Sequence, residues 1–341
     1  MIGSALTRRR WRNFFSQTRA KVGLALLLVL FCISMSAEIW SNQKPILLIR
    51  QTGDSRHWYF PALVNYPATA FGITDTFEVD FKQLIQKDAE EGRPSTALFP
   101  PNRWDPYLQT PEVLAPLSHE HWLGTDGLGR DVTARLIYGI RVSLSFGLLY
   151  WLFSFLLGVI LGAIQGYFAG KVDFLAERVK ELATILPFLS VVILINGLTK
   201  SQSLWVTLSI VVLFGWIEIA SQTRAQFLTL RKREFCEAAR AAGGRDHRII
   251  FKHILPNALT PILTLTPFAI SGGIAILAVL DYLGYGLNPP TPSLGELLQQ
   301  GRAYITNAPW LIESATVALG LMLISINLIG ESLRQAFDPR Q

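Results

Sequence analysis

The sequence predicts an all-α polytopic membrane protein, with six transmembrane helices and a small extracytoplasmic insertion of mixed structure. Three observations predict it. Half of the 341 residues are hydrophobic and the mean hydropathy is positive. Only 16% are charged, where a soluble domain carries about a quarter. Apolar runs near or above the ~18 residues that span a bilayer recur along the chain. The formal net charge of +6 raises nucleic acid as a partner, but the basic residues cluster beside apolar runs, as membrane topology requires. No nucleic-acid role is assigned, because Arg231-Lys232-Arg233 abuts a span. Cys32 falls inside the first span and Cys236 in a basic loop, too far apart on this topology to pair.

Residues 1–21 read as a cytoplasmic segment carrying Arg8, Arg9, Arg10, Arg12, Arg19 and Lys21. An apolar run from Val22 to Trp40 follows. Ser34-Met35-Ser36-Ala37 has the small residues of a signal cleavage site. The run is nevertheless about 20 residues long, enough to cross, and Trp40 suits an interfacial anchor. An uncleaved helix over 22–41 is the preferred reading. Arg8-Arg9 lacks the rest of a twin-arginine signal.

Residues 42–130 form the insertion and a polar loop. Asp54, Asp75, Glu78, Asp80, Asp88, Glu90 and Glu91 lie here with many prolines, and no apolar run is long enough to cross. Ile46–Ile49 and Trp58–Phe60 read as strands, and Asp80–Glu91 as a short polar helix. Residues 131–335 form a five-helix core with spans near 141–165, 177–198, 204–222, 257–281 and 311–332, and residues 336–341 are a cytoplasmic tail.

Orientation follows from the short basic loops. The loop between the fourth and fifth spans holds Arg224, Arg231, Lys232, Arg233, Arg240, Arg245, Arg248 and Lys252. It and the N-terminus are both cytoplasmic under the positive-inside rule, and six spans place them on one side. The 197–203 loop with Lys200, and residues 42–140 and 283–310, then lie outside.

Within the spans, Gly158, Gly162 and Gly166 repeat every fourth residue, which lets another helix approach closely, from this chain or from a partner. Pro187, Pro261 and Pro267 predict kinks. Glu181, Glu218, Asp281 and Glu313 lie toward span ends, where snorkelling to the interface is expected. No carboxylate sits at a bilayer centre, which argues against a proton- or sodium-coupled carrier.

The stretch from His121 to Leu144 reads HWLGTDGLGRDVTARLIYGIRVSL. Gly124, Gly127 and Gly129 resemble a phosphate loop, but no Gly-Lys-Ser/Thr follows and the segment lies outside. A tight polar turn is the better reading, with Asp131 capping a helix whose stripe is Leu136, Ile137 and Ile140. Gly166–Lys171 is one residue short of a Walker spacing, so the chain is not expected to hydrolyse nucleotide itself, nor to carry a cofactor. His119 and His121 flank Glu120, too few ligands for a metal site. No nucleophile–base constellation stands out, so no catalytic residue is assigned.

Residues 234–257, EFCEAARAAGGRDHRIIFKHILPN, carry the most information. Ala238, Ala239, Ala241 and Ala242 favour a helix with a smooth surface. Gly243-Gly244 ends it in a left-handed turn. Asp246 is placed to cap a second helix running to Leu255, and Pro256-Asn257 marks entry to the fifth span. Such a knob on a membrane protein is built to be gripped by something soluble.

Glu237-Ala238-Ala239, Gly243 and Ile254-Leu255-Pro256 resemble the EAA loop of ABC importer permeases, here within 224–256. Gly124-Thr125-Asp126, Gly129-Arg130-Asp131 and Arg135, followed by Gly139 and Arg141, resemble the outer loop motif of the peptide/nickel branch, DppC/OppC type. Leu283-Gly284, Gly286, Pro290, Pro292 to Gly295 and Pro309-Trp310 fit the same branch. The long insertion, with Trp58 to Pro61 and Phe71-Gly72, is most similar to the YejE-type permeases. His253 departs mildly from the general EAA pattern.

The resemblance implies a type I ABC importer permease fold in the bacterial inner membrane, with both termini cytoplasmic. It implies a second permease subunit of the YejB/DppB type, ATP-binding subunits docking on the EAA loop, and a periplasmic substrate-binding protein. The cargo would be oligopeptides or peptide-like compounds of the microcin C class, with ATP bound by the partners alone. A self-contained secondary carrier or channel is the alternative, and an intramembrane carboxylate pair would favour it.

Overall fold

The computed structural model describes residues 2–52, 55–73, 79–91, 95–199 and 202–337. Asp54, Asp75, Glu78, Lys200 and the tail from 338 onward lie outside the described residues. In chain order the elements are α1 (Ile2–Ser16), α2 (Thr18–Met35), α3 (Ala37–Trp40), β1 (Leu47–Thr52), β2 (Ser55–Tyr59), α4 (Phe81–Glu90) and β3 (Ser95–Leu98). There follow α5 (Val132–Phe168), α6 (Gly170–Ile185), α7 (Phe188–Thr199), α8 (Leu204–Leu230), α9 (Glu234–Ala241), α10 (Asp246–Arg248), α11 (Leu255–Leu263), α12 (Thr266–Tyr282), α13 (Leu294–Ala303) and α14 (Pro309–Phe337).

Helices α2, α5, α8 and α14 are long and apolar enough to cross a membrane, and the number rises to six if each of two bent pairs is one span. The spans expected at 177–198 and 257–281, with kinks at Pro187, Pro261 and Pro267, are those bent pairs. The α6–α7 pair turns by 79° and the Asp246–Leu263 and Thr266–Tyr282 pair by 56°. Pro187 explains the first bend. It lacks an N–H and drives Leu186 into an extended conformation, with ψ at 125°. The second bend falls at Thr264–Leu265, just before Pro267 in the first turn of α12, whereas Pro261 sits inside α11 without breaking it.

The chain forms two compact units. The first comprises Met1–Leu28, Ser143–Asn288 and Leu319–Gln341. Its glycine stripe packs on α8 of the same chain. A Cβ on Gly158 would meet Ile219 at 2.7 Å, one on Gly162 the Ala220 carbonyl oxygen at 2.4 Å, and one on Gly166 Phe227 at 2.6 Å. Only glycine lets the two backbones come this close. Gly23 of α2 lies against Ser325 of α14 in the same way, at 2.8 Å. Asp281 does not snorkel as expected. It is buried and accepts the Leu287 N–H at 2.7 Å.

The second unit comprises Val29–Val142 and Pro289–Ala318. It holds a three-stranded antiparallel sheet in the order β2-β1-β3, with Ile49 opposite both Trp58 and Thr96. The sheet packs Leu48 against Phe71, Phe81 and Leu84. Asp80 caps α4 by accepting the Lys82 and Gln83 N–H groups. Arg50 on β1 forms a two-pronged bond to the buried Asp88 of α4, at 2.6 and 2.8 Å. The strand β3 and the helices α1 and α13 were not anticipated. The first transmembrane helix ends at Met35 rather than 41, and the short α3 follows.

Candidate functional site

Two assemblies gather the residues singled out in the sequence, one in each unit. The first is the segment from Glu234 to Pro256. Arg233 precedes α9 without a side-chain cap, and acidic Glu234 and Glu237 stand in its first turn, where the helix dipole favours them. The helix closes in a Schellman motif: the Gly243 N–H reaches the Arg240 carbonyl and the Gly244 N–H the Ala239 carbonyl, each at 2.9 Å. Gly243 has φ +76°, a conformation that favours glycine. The left-handed turn is therefore where the sequence places it.

The second helix differs from expectation. Asp246 is the first residue of α10 rather than its cap, and its carboxylate accepts the Tyr167 hydroxyl at 2.6 Å. The helix proper is three residues long and passes into a π-helical turn over Ile249–Ile254, which runs into α11. Pro256 sits in the first turn of α11.

The segment has an anchored side and a free side. Cys236, Ile249 and Ile254 are buried in a cluster with Tyr167, Phe227 and Ile262, and Ala239 and Leu255 pack against it. Burial pushes the Cys236 thiol pKa up. Glu237, Ala238, Ala241 and Gly243 are exposed, as is Pro256. Thus Ile254 and Leu255 hold the segment down, while Glu237 and Ala238 are available to a partner.

The second assembly is a buried ionic network built on the 124–135 motif. Gly124 and Gly129 both have φ +73°. A Cβ on Gly129 would stand 2.0 Å from the Thr110 carbonyl oxygen, so the turn tolerates no side chain there. The Asp126 carboxylate accepts the Leu128 and Arg130 N–H groups, each at 2.9 Å, and the Arg130 Nε–H at 2.7 Å. Arg130 also donates to Glu296 of α13 at 2.7 Å. Arg135 donates to the other oxygen of Glu296 and to the Pro106 and Pro290 carbonyls. Burial works against the Arg130 charge, but the bond to Asp126 and the charge of Glu296 outweigh it and hold its pKa above the usual arginine value. Thr125 accepts the Ala115 N–H and donates to the Glu112 carbonyl.

Asp131 caps α5 through the Ala134 N–H at 2.7 Å, as its position predicts. Its other partners were not foreseen. Asn102 donates to it at 2.8 Å, and the buried His121 bonds to it through Nδ1 at 2.8 Å while stacking on Trp104. Among the described residues no group of three or more His, Cys, Asp or Glu side chains is arranged to hold a metal ion.

Sequence reasoning also missed Glu296 and Gln300, whose side chain accepts the Gly127 N–H and donates to Glu296, each at 3.1 Å. A signal for α13 was present: Ser293-x-x-Glu296 has the spelling of a helix start, and Ser293 accepts the Gly295 and Glu296 N–H groups. A further cluster joins α6 to α8, where Arg224 is paired with Asp173 and Glu177 and the buried Lys180 with Glu177.

Residues 155–341 match the family described as the binding-protein-dependent transport system inner membrane component. The chain belongs to this family. This permease is 39% identical to the inner membrane ABC transporter permease protein YejE of Escherichia coli over 342 residues, covering 99% of this chain and 98% of that protein. It is 37% identical to the peptidoglycan transport system permease protein YejE of Agrobacterium fabrum, covering 99% of this chain and 94% of that one. It is 34% identical to the dipeptide transport system permease protein DppC of Alkalihalophilus pseudofirmus, covering 65% of this chain and 73% of that one. The fold resembles that of the inward-facing MetNI methionine ABC transporter, with TM-score 0.51 and 17% identity over 60% of this chain and 97% of that one. The permease is a multi-pass inner-membrane protein and a transport component that works with ATP-binding and substrate-binding partners.

Proposed function

We propose that this permease is the membrane-spanning subunit of an ATP-driven importer of oligopeptides or peptide-like compounds, including the microcin C class. The dipeptide and oligopeptide transport names of relatives support the peptide part of that cargo. It pairs with a second permease of the YejB/DppB type. A periplasmic binding protein delivers cargo to the outer face, where the 42–130 insertion lies, and both termini are cytoplasmic. ATP is bound by the partner subunits, and this chain holds no nucleotide site or cofactor of its own.

The observation that carries the reading is the α9 knob. It presents Glu237 and Ala238 outward, ends at a left-handed glycine, and is rooted through Cys236, Ile249 and Ile254 in a helical core. A rigid projection of this kind transmits a push. Closure of the ATPase dimer moves α9, and α8, α11 and α12 follow, so the transport path alternates between inward- and outward-facing states.

The test is to replace Glu237 or Gly243 in the reconstituted complex and measure cargo uptake and ATPase activity together. Loss of uptake with ATPase activity no longer stimulated by cargo-loaded binding protein is expected. Survival of both activities with disruptive changes at these positions would overturn the coupling role. Topology has its own test. A cysteine at Gln109, in a variant lacking Cys32 and Cys236, should react with an impermeant thiol reagent from the periplasmic side; labelling only after lysis would reverse the orientation.

A further inference from the structure

The last full turn of α5 carries Tyr167, a residue that neither the motif reading nor the proposed function uses. It is buried, with 6% of its surface exposed, and it is held from three directions by the segment that follows α8. Its hydroxyl donates to the Asp246 carboxylate of α10 at 2.6 Å. Its carbonyl oxygen, one of the last four of α5 and so without an intrahelical donor, accepts from the Arg231 guanidinium at 2.8 Å. Its ring lies beneath the Arg240 guanidinium of α9, 5.8 Å from the ring centre. These three residues come from the link before α9, from α9 itself and from the helix after the glycine turn.

The glycine turn by itself is a weak mechanical joint. A Cβ built on Gly243 would touch nothing within 4 Å, so no packing stiffens the turn there. The helix beyond it, α10, is only three residues long. The angle between α9 and α10 rests on two things: the packing of Cys236 with Ile249 and Ile254, which is non-directional, and the common attachment of both helices to Tyr167, which is directional. The chain on the other side of Tyr167 is stiff: α5 is a continuous helix bolted to α8 by backbone contacts at Gly158, Gly162 and Gly166.

We propose that Tyr167 is the positioning residue that joins the α9–α10 elbow to α5, so that a displacement of α9 is delivered to α5 and α8 together. This rests on the reading of residues 224–256 as the ATPase-coupling loop. The hydroxyl bond to Asp246 is the directional part of the joint, since a hydrogen bond to a charged acceptor is among the stronger ones in proteins. The ring and the carbonyl bond give the buried anchor.

Tyr167→Phe keeps the ring, the burial and the carbonyl, and removes only the donor. In the reconstituted importer, with its ATP-binding subunits, second permease and binding protein, three quantities are measured: complex assembly by co-purification, ATP hydrolysis without binding protein, and ATP hydrolysis and uptake with cargo-loaded binding protein. Expected are normal assembly, basal hydrolysis within about twofold of wild type, and a fall of about tenfold in stimulated turnover, the size set by one bond to a charged group. The concentration of loaded binding protein at half-maximal rate stays unchanged, a split that a general loss of folding does not produce. Asp246→Ala should give the same phenotype, and Tyr167→Phe with Asp246→Ala should be no worse than either alone. Wild-type stimulation in Tyr167→Phe, while Glu237 and Gly243 variants lose coupling, overturns the joint and leaves the coupling loop standing. Wild-type behaviour of all of them overturns the underlying reading instead. Failure of Tyr167→Phe to assemble assigns the hydroxyl to folding and also overturns the proposal.

Discussion

Replacing Glu296 by glutamine tests whether the ionic network of the second unit is a balanced charge set. Arg130 is 1% exposed and Arg135 fully buried. In the native unit they face two carboxylates, Asp126 and Glu296, so two positive charges meet two negative ones. Glutamine keeps the size and one acceptor oxygen, but it leaves Asp126 alone against both guanidinium groups. Removing one partner from a buried ion pair costs about 3–5 kcal/mol, because the remaining charge is left uncompensated. The Glu296 side chain is 15% exposed, so water screens part of the loss and the lower figure, about 3 kcal/mol, applies. For a chain of 341 residues, at about 2.1 cal/mol/K of unfolding entropy per residue, that corresponds to a fall in Tm of roughly 4 °C. The assay is thermal unfolding of the purified permease in detergent. Glu181→Gln is the control, since the Arg178–Glu181 pair is about half exposed on both sides and such pairs contribute about 0–1 kcal/mol. A Tm for Glu296→Gln within about 1 °C of wild type, or indistinguishable from the control, would refute the reasoning.

Gly162→Ala places a methyl carbon 2.4 Å from the Ala220 carbonyl oxygen, which belongs to backbone and cannot swing aside. It should cost about 1–3 kcal/mol, seen as a lower Tm, whereas Gly197→Ala, where a Cβ meets nothing within 4 Å, should not lower it. At Gly243, with φ +76° and open space around the Cβ, the penalty is conformational alone. Gly243→Asn should therefore retain more ATP-coupled uptake than Gly243→Val, because asparagine enters the left-handed region at smaller cost. Cys236 is fully buried with its thiol pKa pushed above the ordinary 9.0, so it should resist maleimide in the folded protein and react after denaturation. Because folding favours the protonated thiol, its contribution to stability is complete below about pH 9 and is lost as the pH rises through the raised value. Subtracting the stability–pH curve of Cys236→Ala from that of wild type should show that loss; an unchanged difference across this range would contradict it.

The helical elements were legible where periodic apolar runs are long, as in α2, α5, α8 and α14, because a bilayer demands length and internally satisfied backbone. Their boundaries were less so. The helix that Asp131 was expected to cap runs without a break through the span expected at 141–165, so that the two are the single helix α5. α13 was missed even though Ser293 and Glu296 mark its start, since a ten-residue helix with polar faces carries no spanning signal. Asp246 was read locally as a cap. A tyrosine 79 residues earlier in the chain took its carboxylate, and no local rule describes such a partner.

The sequence by itself determined the membrane class, the spelling of the α9 knob and its glycine turn, and the glycine stripe as a close-approach surface. These depend on hydropathy, backbone conformation and side-chain size, which neighbouring residues set. The tertiary structure decided which helix the stripe meets, that Glu296 balances Arg130 and Arg135, and what grips the root of the knob. Those outcomes join residues from 58 to 166 positions apart, and only the packed fold brings them together.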